Sequence, residues 1–385
     1  MSDRGYTLWG TPHSLFTGKA RSYLLKCGVP YTERLVSDHR FLDEIVPKVG
    51  HMVIPVIEAP DGELIQDSTA IIDHIEASTA EPLLNRIGPI QQVIAHFLDA
   101  FGSNYLVPAA MHYRWSYRAE QEQFLRAEFA RAVPPALPYD QRLAMAGAIM
   151  DKFNGFLPKL GVTPEAIPAI EAAYEELLDA LEVHFQTNPY LLGGRPSMAD
   201  FGMIAPLYAH LARDPVPAKL MRTRAPNVAR WTERMNTPVI ADCEYPDDSN
   251  ADLARDAIPE TLEAVLRVAF AQWEAGICAD AACFETWLDG QDDTAAGTVV
   301  SLGGKRQVHP HTGRIAYEWR GITMRRASHI HSLWHLARAQ DAAQALADDD
   351  AARLDALLDR TGGKKIMALQ TSRKIRRQHN VLVLA

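Results

Sequence analysis

Two acid–hydroxyl pairings stand where helices should begin. In Gly193-Gly194-Arg195-Pro196-Ser197-Met198-Ala199-Asp200, a serine followed three residues later by an acid is a capping box, the carboxylate reaching back to the cap's backbone amide. In Asp67-Ser68, the serine is placed to cap a helix running Thr69 to Ala77. Five of the 14 histidines, His309, His311, His329, His331 and His335, fall close together. His331 and His335 have the i,i+4 spacing of two zinc ligands on one helix face, but the segment lacks a nearby cysteine or an HExxH glutamate. Surface or hydrogen-bonding histidines, and no metal, are therefore the expectation. Cys27, Cys243, Cys278 and Cys283 form neither a CxxC pair nor a disulfide framework, so thiol chemistry must use a thiol from elsewhere.

The elements that would position these groups come in three parts. Tyr6–Trp9 reads as a strand, Phe16–Cys27 as a helix stopped by Gly28 and Pro30, and 31–36 as a second strand. Val53–Ile57 is a β-branched run broken by Pro55, Asp61-Gly62 is a hairpin turn, and Glu63–Ile65 is a strand. From Ile90 onward, helical periodicity dominates. Ile170, Tyr174, Leu177, Leu178, Leu181 and Phe185 form one apolar stripe, and proline-rich stretches at 133–138 and 214–217 punctuate further helices. Residues 243–250 read as a linker. Beyond it come a helix over 258–275, strands at Thr298–Leu302 and Ile315–Trp319 joined by a loop, a helix over 333–346 and a terminal Val381–Leu384 run.

The chain has 385 residues, 47% of them hydrophobic, enough for roughly two or three domains of ~150 residues. No stretch approaches the ~20 apolar residues of a membrane helix, and Met1–Arg4 leads into a strand without an apolar signal core, so the expected address is cytoplasmic. Residues 297–385 hold 15 Lys and Arg against 7 Asp and Glu, a tail of +8 on a body of −17. The acidic body argues against nucleic-acid binding by the whole protein. The basic run Lys364, Lys365, Arg373, Lys374, Arg376 and Arg377 is expected to be solvated or to pair with the acidic body of this or a neighbouring subunit.

Over residues 5–240 the sequence resembles the cytosolic glutathione transferase family. The resemblance rests on four features in order: Tyr6–Trp9 leading to Ser14–Arg21, the Ile54-Pro55-Val56 step, Asp67-Ser68, and Gly193-Gly194-Arg195-Pro196-Ser197-x-x-Asp200. It implies a thioredoxin-like α/β domain over 1–82, an all-α domain over 90–245, and an α+β extension over 251–385 that the resemblance does not reach. It also implies glutathione as co-substrate, a small-molecule electrophile as partner, a detoxifying conjugation, and a homodimer.

The same resemblance assigns roles. Pro55 would be cis, with Ile54 turning its backbone toward the cysteinyl part of glutathione. Ser68 would hold the γ-glutamyl carboxylate at a helix N-terminus, and Asp67 would receive the ammonium or shape the turn. Ser14 would donate to the sulfur, Thr11, Thr17 and Tyr6 being the competing hydroxyls. His13-Ser14-Leu15-Phe16 departs from the Ser-Pro pattern of serine-type members. Lys48, His51 and Arg21 would be within reach of the glycyl carboxylate. Asn104, Tyr105, Met111, His112, Tyr113, Arg114, Trp115 and Tyr117 would supply the electrophile pocket. A disulfide reductase or isomerase on the same site, and a non-catalytic binding protein of this fold, stay open as alternatives.

Overall fold

The computed structural model describes residues 5–80, 82–84, 87–238, 243–245, 256–291 and 294–385. Strand β1 (Tyr6–Gly10) leads into α1 (Leu15–Lys26) and returns as β2 (Tyr31–Leu35), parallel to β1 with Tyr6 opposite Tyr31. A π-turn at Phe41–Ile45 and the short α2 (Val46–Val49) precede β3 (Val56–Glu58) and β4 (Leu64–Gln66). These last two form the hairpin expected at Asp61-Gly62, and α3 (Ser68–Ser78) closes the unit. The sheet order is β2-β1-β3-β4, with only the β1–β2 pair parallel. Strand β3 starts at Val56, later than the β-branched run suggested, because Pro55 has no N–H for the ladder.

The next part is helical: α4 (Pro89–Ala100), a π-turn at Phe101–Tyr105, α5 (Val107–Trp115), α6 (Arg118–Ala130) and α7 (Tyr139–Asn154). Then follow α8 (Ile167–His184), α9 (Met198–Ala209), α10 (Pro215–Arg224) and α11 (Pro226–Arg234). The α8 stripe is buried as its spacing required. At the head of α9, Asp200 accepts from the amide and hydroxyl of Ser197, and also from Leu191 N and Trp231 Nε1. The capping carboxylate thus ties α11 to the α9 entrance. Helices α9 and α4 cross closely enough that a Cβ on Gly202 would lie 2.3 Å from Asp99 Cα.

The C-terminal part holds α12 (Glu260–Asp289), β5 (Arg314–Trp319), β6 (Ile322–Ala327), α13 (Ile330–Gln344), α14 (Asp348–Thr361), α15 (Lys364–Met367), β7 (Ile375–Gln378) and β8 (Val381–Leu384). Helix α12 runs on to Asp289, nearly four turns past the expected end at 275, and α14 is an element the local sequence signals do not predict. Thr298–Leu302 is not a strand; it makes one bridge, Val299 to Val383, while β5 pairs with β6 in a hairpin. From residue 246 on, the expected linker lies outside the described residues, as does Met1–Arg4.

The extension packs on its own chain. Helix α13 lies along α4 and α12 along α8, with Phe97 stacked on Phe270 at 4.0 Å and 5.9 Å from Trp273. One buried apolar cluster runs from Leu8 to Leu384. Much of the basic run is paired within the chain: Lys364 with Asp355 and Asp359, Lys365 with Glu274, and Lys374 with Asp341. Among the described residues no helix is long and apolar enough to cross a membrane.

Candidate active site

Because β3 runs antiparallel to β1 and to β4, the end of β1, the start of β3 and the end of β4 share one edge of the sheet, Trp9 opposite Val56 and Val56 opposite Gln66. The loops carrying Ser14, Ile54-Pro55 and Asp67-Ser68 therefore leave from the same edge. The Ile54–Pro55 bond is cis, and the Pro55 carbonyl accepts from Asp67 N at 3.3 Å, joining two of the three loops. Asp67 has φ 90°, a left-handed conformation that non-glycine residues rarely adopt and that concentrates at functional sites. Its side chain, not that of Ser68, is the cap of α3, accepting from Thr69 N (2.8 Å) and Ala70 N (3.2 Å). That corrects the expected cap. Ser68 becomes the first helical residue, its own amide left at the positive end of α3.

Ser14 caps α1, its Oγ accepting from Thr17 N at 3.3 Å, which leaves its hydroxyl proton to donate. The competing hydroxyls are placed less well. Tyr6 lies at the opposite end of β1, the Thr17 side chain is packed under Gly10, and Thr11 is buried. The Ser14 loop is held by three arginines: Arg114 Nη1 donates to His13 O (3.0 Å), Arg213 to Pro12 O (2.8 Å) and Arg21 to Thr11 O (3.3 Å). Arg21 is also paired with Glu33, so it is not available to a glycyl carboxylate as the resemblance implied. Lys48 is exposed, in the last turn of the short α2. His51 is half-buried, and burial with the charges of Arg306 and Arg377 holds its imidazole below the ordinary value.

The extension reaches this edge. Arg377 Nη2 donates to Gln66 O at 3.0 Å and to Gln66 Oε1. Beneath the first turn of α3, Lys19 Nζ donates to Thr69 Oγ1 (2.8 Å), to Ser103 Oγ (3.2 Å) and to Asp99, all these side chains being buried. His335 completes the network, Nε2 3.1 Å from Thr69 Oγ1 and Nδ1 3.1 Å from Asn104 Nδ2. Asn104 already donates to Ala100 O, so its second N–H faces Nδ1, which accepts, and Nε2 carries the ring proton toward Thr69. Both nitrogens of His335 are thereby engaged in hydrogen bonds. Burial alone would raise the Asp67 carboxyl, but the charge of Arg377, with that of Lys19 behind it, holds it below the ordinary carboxylate range.

The expected electrophile residues separate. Tyr105 lines a cavity of about 50 Å³ with Tyr174 of α8 and Trp273, Tyr317 and Trp319 of the extension. Tyr174 OH and Gln272 Oε1 are buried there without partners. His112 instead bonds Glu171 (3.0 Å) and Ser116 (2.9 Å), and Tyr113 is packed between Tyr117 and Tyr174. Trp115 belongs to a separate core among α5, α6 and α7, 5.5 Å from the Phe129 ring. Helical spacing sends those three side chains to other faces of α5. The cavity is well short of the ~150 Å³ that admits benzene, so an aromatic electrophile needs it to widen. The chain's own Cys27 is no nucleophile at this site, since burial pushes its thiol up to about 12.

Residues 8–83 match the family model described as glutathione S-transferase, N-terminal domain, and residues 164–234 that described as glutathione S-transferase, C-terminal domain. The chain carries the glutathione transferase fold. The two matches, in this order, support the glutathione S-transferase family. Similar solved structures include a possible glutathione S-transferase from Rhodopseudomonas palustris (15% identity, 63% of this chain and 98% of that chain, TM-score 0.32). A glutathione S-transferase from Pseudomonas fluorescens shows 19% identity over 63% and 98%, TM-score 0.36. Glutaredoxin 2 from Salmonella typhimurium, in complex with glutathione, shows 15% identity over 61% and 95%, TM-score 0.32. No curated protein matches the sequence.

Arg377, Arg306, Thr69 and Asn104 escaped the sequence reading of the thiol site. For the two arginines the one advance signal was the contrast between a basic tail and an acidic body, which announces pairing without saying where; the uncharged Thr69 and Asn104 had none for this site.

Proposed function

We propose that the protein is a glutathione transferase, binding glutathione along the sheet edge and using its thiolate against a small electrophile. The observation that carries this reading is the convergence of Ser14, Ile54-Pro55 and Asp67-Ser68 at that edge, with Pro55 and Asp67 hydrogen-bonded to each other. Ser68, with its hydroxyl and its own amide at the N-terminus of α3, suits a carboxylate, and the Asp67 carboxylate suits the γ-glutamyl ammonium. Ile54 would pair its backbone with the peptide in the manner of an added strand. Ser14 Oγ–H, at the positive end of α1, would donate to the sulfur and favour thiolate over thiol. The thiolate then forms a sulfur–carbon bond as the leaving group departs with its electron pair.

Calorimetric titration of glutathione into wild type and Ser68→Ala tests the reading. Binding weakened at least tenfold in the variant, about 1.4 kcal/mol, supports it. No binding by wild type removes it. Turnover of a chloronitrobenzene with none of hydroxyethyl disulfide then separates conjugation from disulfide reduction.

A further inference from the structure

The cavity of about 50 Å³ beside Tyr105 lies where the extension closes on the helical part. Tyr105 and Tyr174 come from that part, and Gln272, Trp273, Trp319 and Met324 from the extension. The residues matched by the family models end at 234, so the extension's share of the wall lies outside them. Two polar atoms of the lining, Tyr174 OH and Gln272 Oε1, are buried without a partner. Both N–H groups of Gln272 are spent, on Ala173 O (2.9 Å) and Glu176 Oε2 (3.1 Å). Each of those partners is an acceptor, which fixes the amide oxygen as the group left for the cavity. Trp319 is held in place as well, its Nε1 donating to Gln272 O at 3.0 Å.

A buried donor or acceptor left unpaired is costly, so two of them on one cavity call for a ligand that pairs both. Gln272 Oε1 can only accept, whereas the Tyr174 hydroxyl can donate. A single hydroxyl group answers both needs, giving its proton to the amide and taking that of the tyrosine. The rings of Tyr105, Trp273 and Trp319 suit a flat body behind that hydroxyl. The volume is about a third of the ~150 Å³ that encloses benzene, and Met324, an unbranched side chain in the wall, is the one that can swing to admit a ring. This cavity is not the thiol edge: Ala109 lines it, while Arg114, five residues on and so about 140° round α5, reaches the Ser14 loop.

We infer that the cavity is a second ligand site, for a small phenol whose hydroxyl bridges Gln272 Oε1 and Tyr174 OH and whose ring lies among Tyr105, Trp273 and Trp319. The site exists because α12 packs along α8, since α8 supplies the tyrosine and α12 the amide. It stands apart from the glutathione reading, because none of these residues is one that would hold the tripeptide.

The test is calorimetric titration of p-cresol and of toluene into full-length wild type, Tyr174→Phe, Met324→Ala and Ser68→Ala. Wild type should bind p-cresol saturably and about tenfold more tightly than toluene. Tyr174→Phe keeps the ring that packs on Tyr113, so the expected tenfold loss for p-cresol, with toluene unchanged, reports the hydroxyl. Met324→Ala should bind both ligands more tightly, and Ser68→Ala, at the thiol edge, should bind them as wild type does. Equal affinities for the two ligands, an effect missing in Tyr174→Phe or Met324→Ala, or a loss in Ser68→Ala places the phenol elsewhere and overturns the site. No binding of p-cresol by wild type overturns it too, the cavity then holding water alone.

Discussion

Arg114 and Asp214 meet in a two-pronged ion pair, Nε to Oδ2 at 2.6 Å and Nη2 to Oδ1 at 2.7 Å, with both side chains buried. The remaining donors of Arg114 go to Ala209 O and His13 O, so a helix of the second domain grips the loop that presents Ser14. Replacing Arg114 by Met leaves Asp214 charged and uncompensated, and the expected loss of stability is about 3–5 kcal/mol by urea unfolding. Arg114→Met combined with Asp214→Leu should lose less than Arg114→Met alone. A double variant worse than the single would contradict this account of the pair.

Ser14→Ala removes both a helix cap and the proposed thiol partner. Stability should fall by about 1 kcal/mol for the cap. Loss of a hydroxyl donor raises the pKa of the bound thiol, and one unit, about 1.4 kcal/mol, makes turnover near neutral pH fall about tenfold. Glutathione affinity should stay within about twofold. The pH–rate profile reports the cause, because its rising limb should move to higher pH. A limb that stays in place would return Ser14 to a purely capping role.

His335 links the extension to the first turn of α3, and burial together with Lys19 pushes its imidazole down to about 4 even though Asp99 and Asp67 oppose the shift. His184, at the end of α8 and 2.9 Å from Thr261 Oγ1, is likewise pushed down to about 4 by burial. Both are neutral in the folded protein, so on acidification the unfolded chain takes up their protons first. Their contribution is full above about pH 6.5 and is lost as pH falls toward 4, at up to ~1.4 kcal/mol per pH unit for each histidine. Urea midpoints at pH 7, 6 and 5 should show this slope, and His335→Gln should flatten it by one histidine's share. An unchanged slope in that variant would mean His335 is not held neutral.

Gly202 marks the tightest helix crossing described above. An added Cβ would meet the backbone of Asp99, which no side-chain rotation can relieve. Gly202→Ala should therefore cost about 1–3 kcal/mol or more, read as a lower thermal midpoint. It should also disturb the Lys19–Asp99 contact, because Asp99 must move.

The parts of this fold that sequence makes plain are those written in local chemistry. Pro55 ends a ladder, Ser197 and Asp200 open a helix, and the Ile170–Leu181 stripe can only be a buried face. The same rules miss the register of the extension, since β5 could pair forward or backward and only the packing of α12 beneath it decides. At the site, Ser14 and Asp67-Ser68 are local motifs with local geometry. Arg377 lies 311 residues from Gln66, a contact no periodicity encodes. The aromatic run 105–117 misleads for the converse reason: Tyr105 sits in the π-turn ahead of α5 and Trp115 at the far end of that helix, so they belong to different cores.

The turn of β7 and β8 has a consequence for biosynthesis. A ribosome makes Ser14, Pro55 and Ser68 early, whereas Arg377 and the Val381–Leu384 strand follow about 300 residues later. At ~5–20 residues per second, the interval between making residue 240 and making residue 385 is roughly ten to thirty seconds. During that time α4 has no α13 to cover it. A nascent chain should therefore expose the apolar face of α4, making it a client for chaperones, until α13 is made and packs on it.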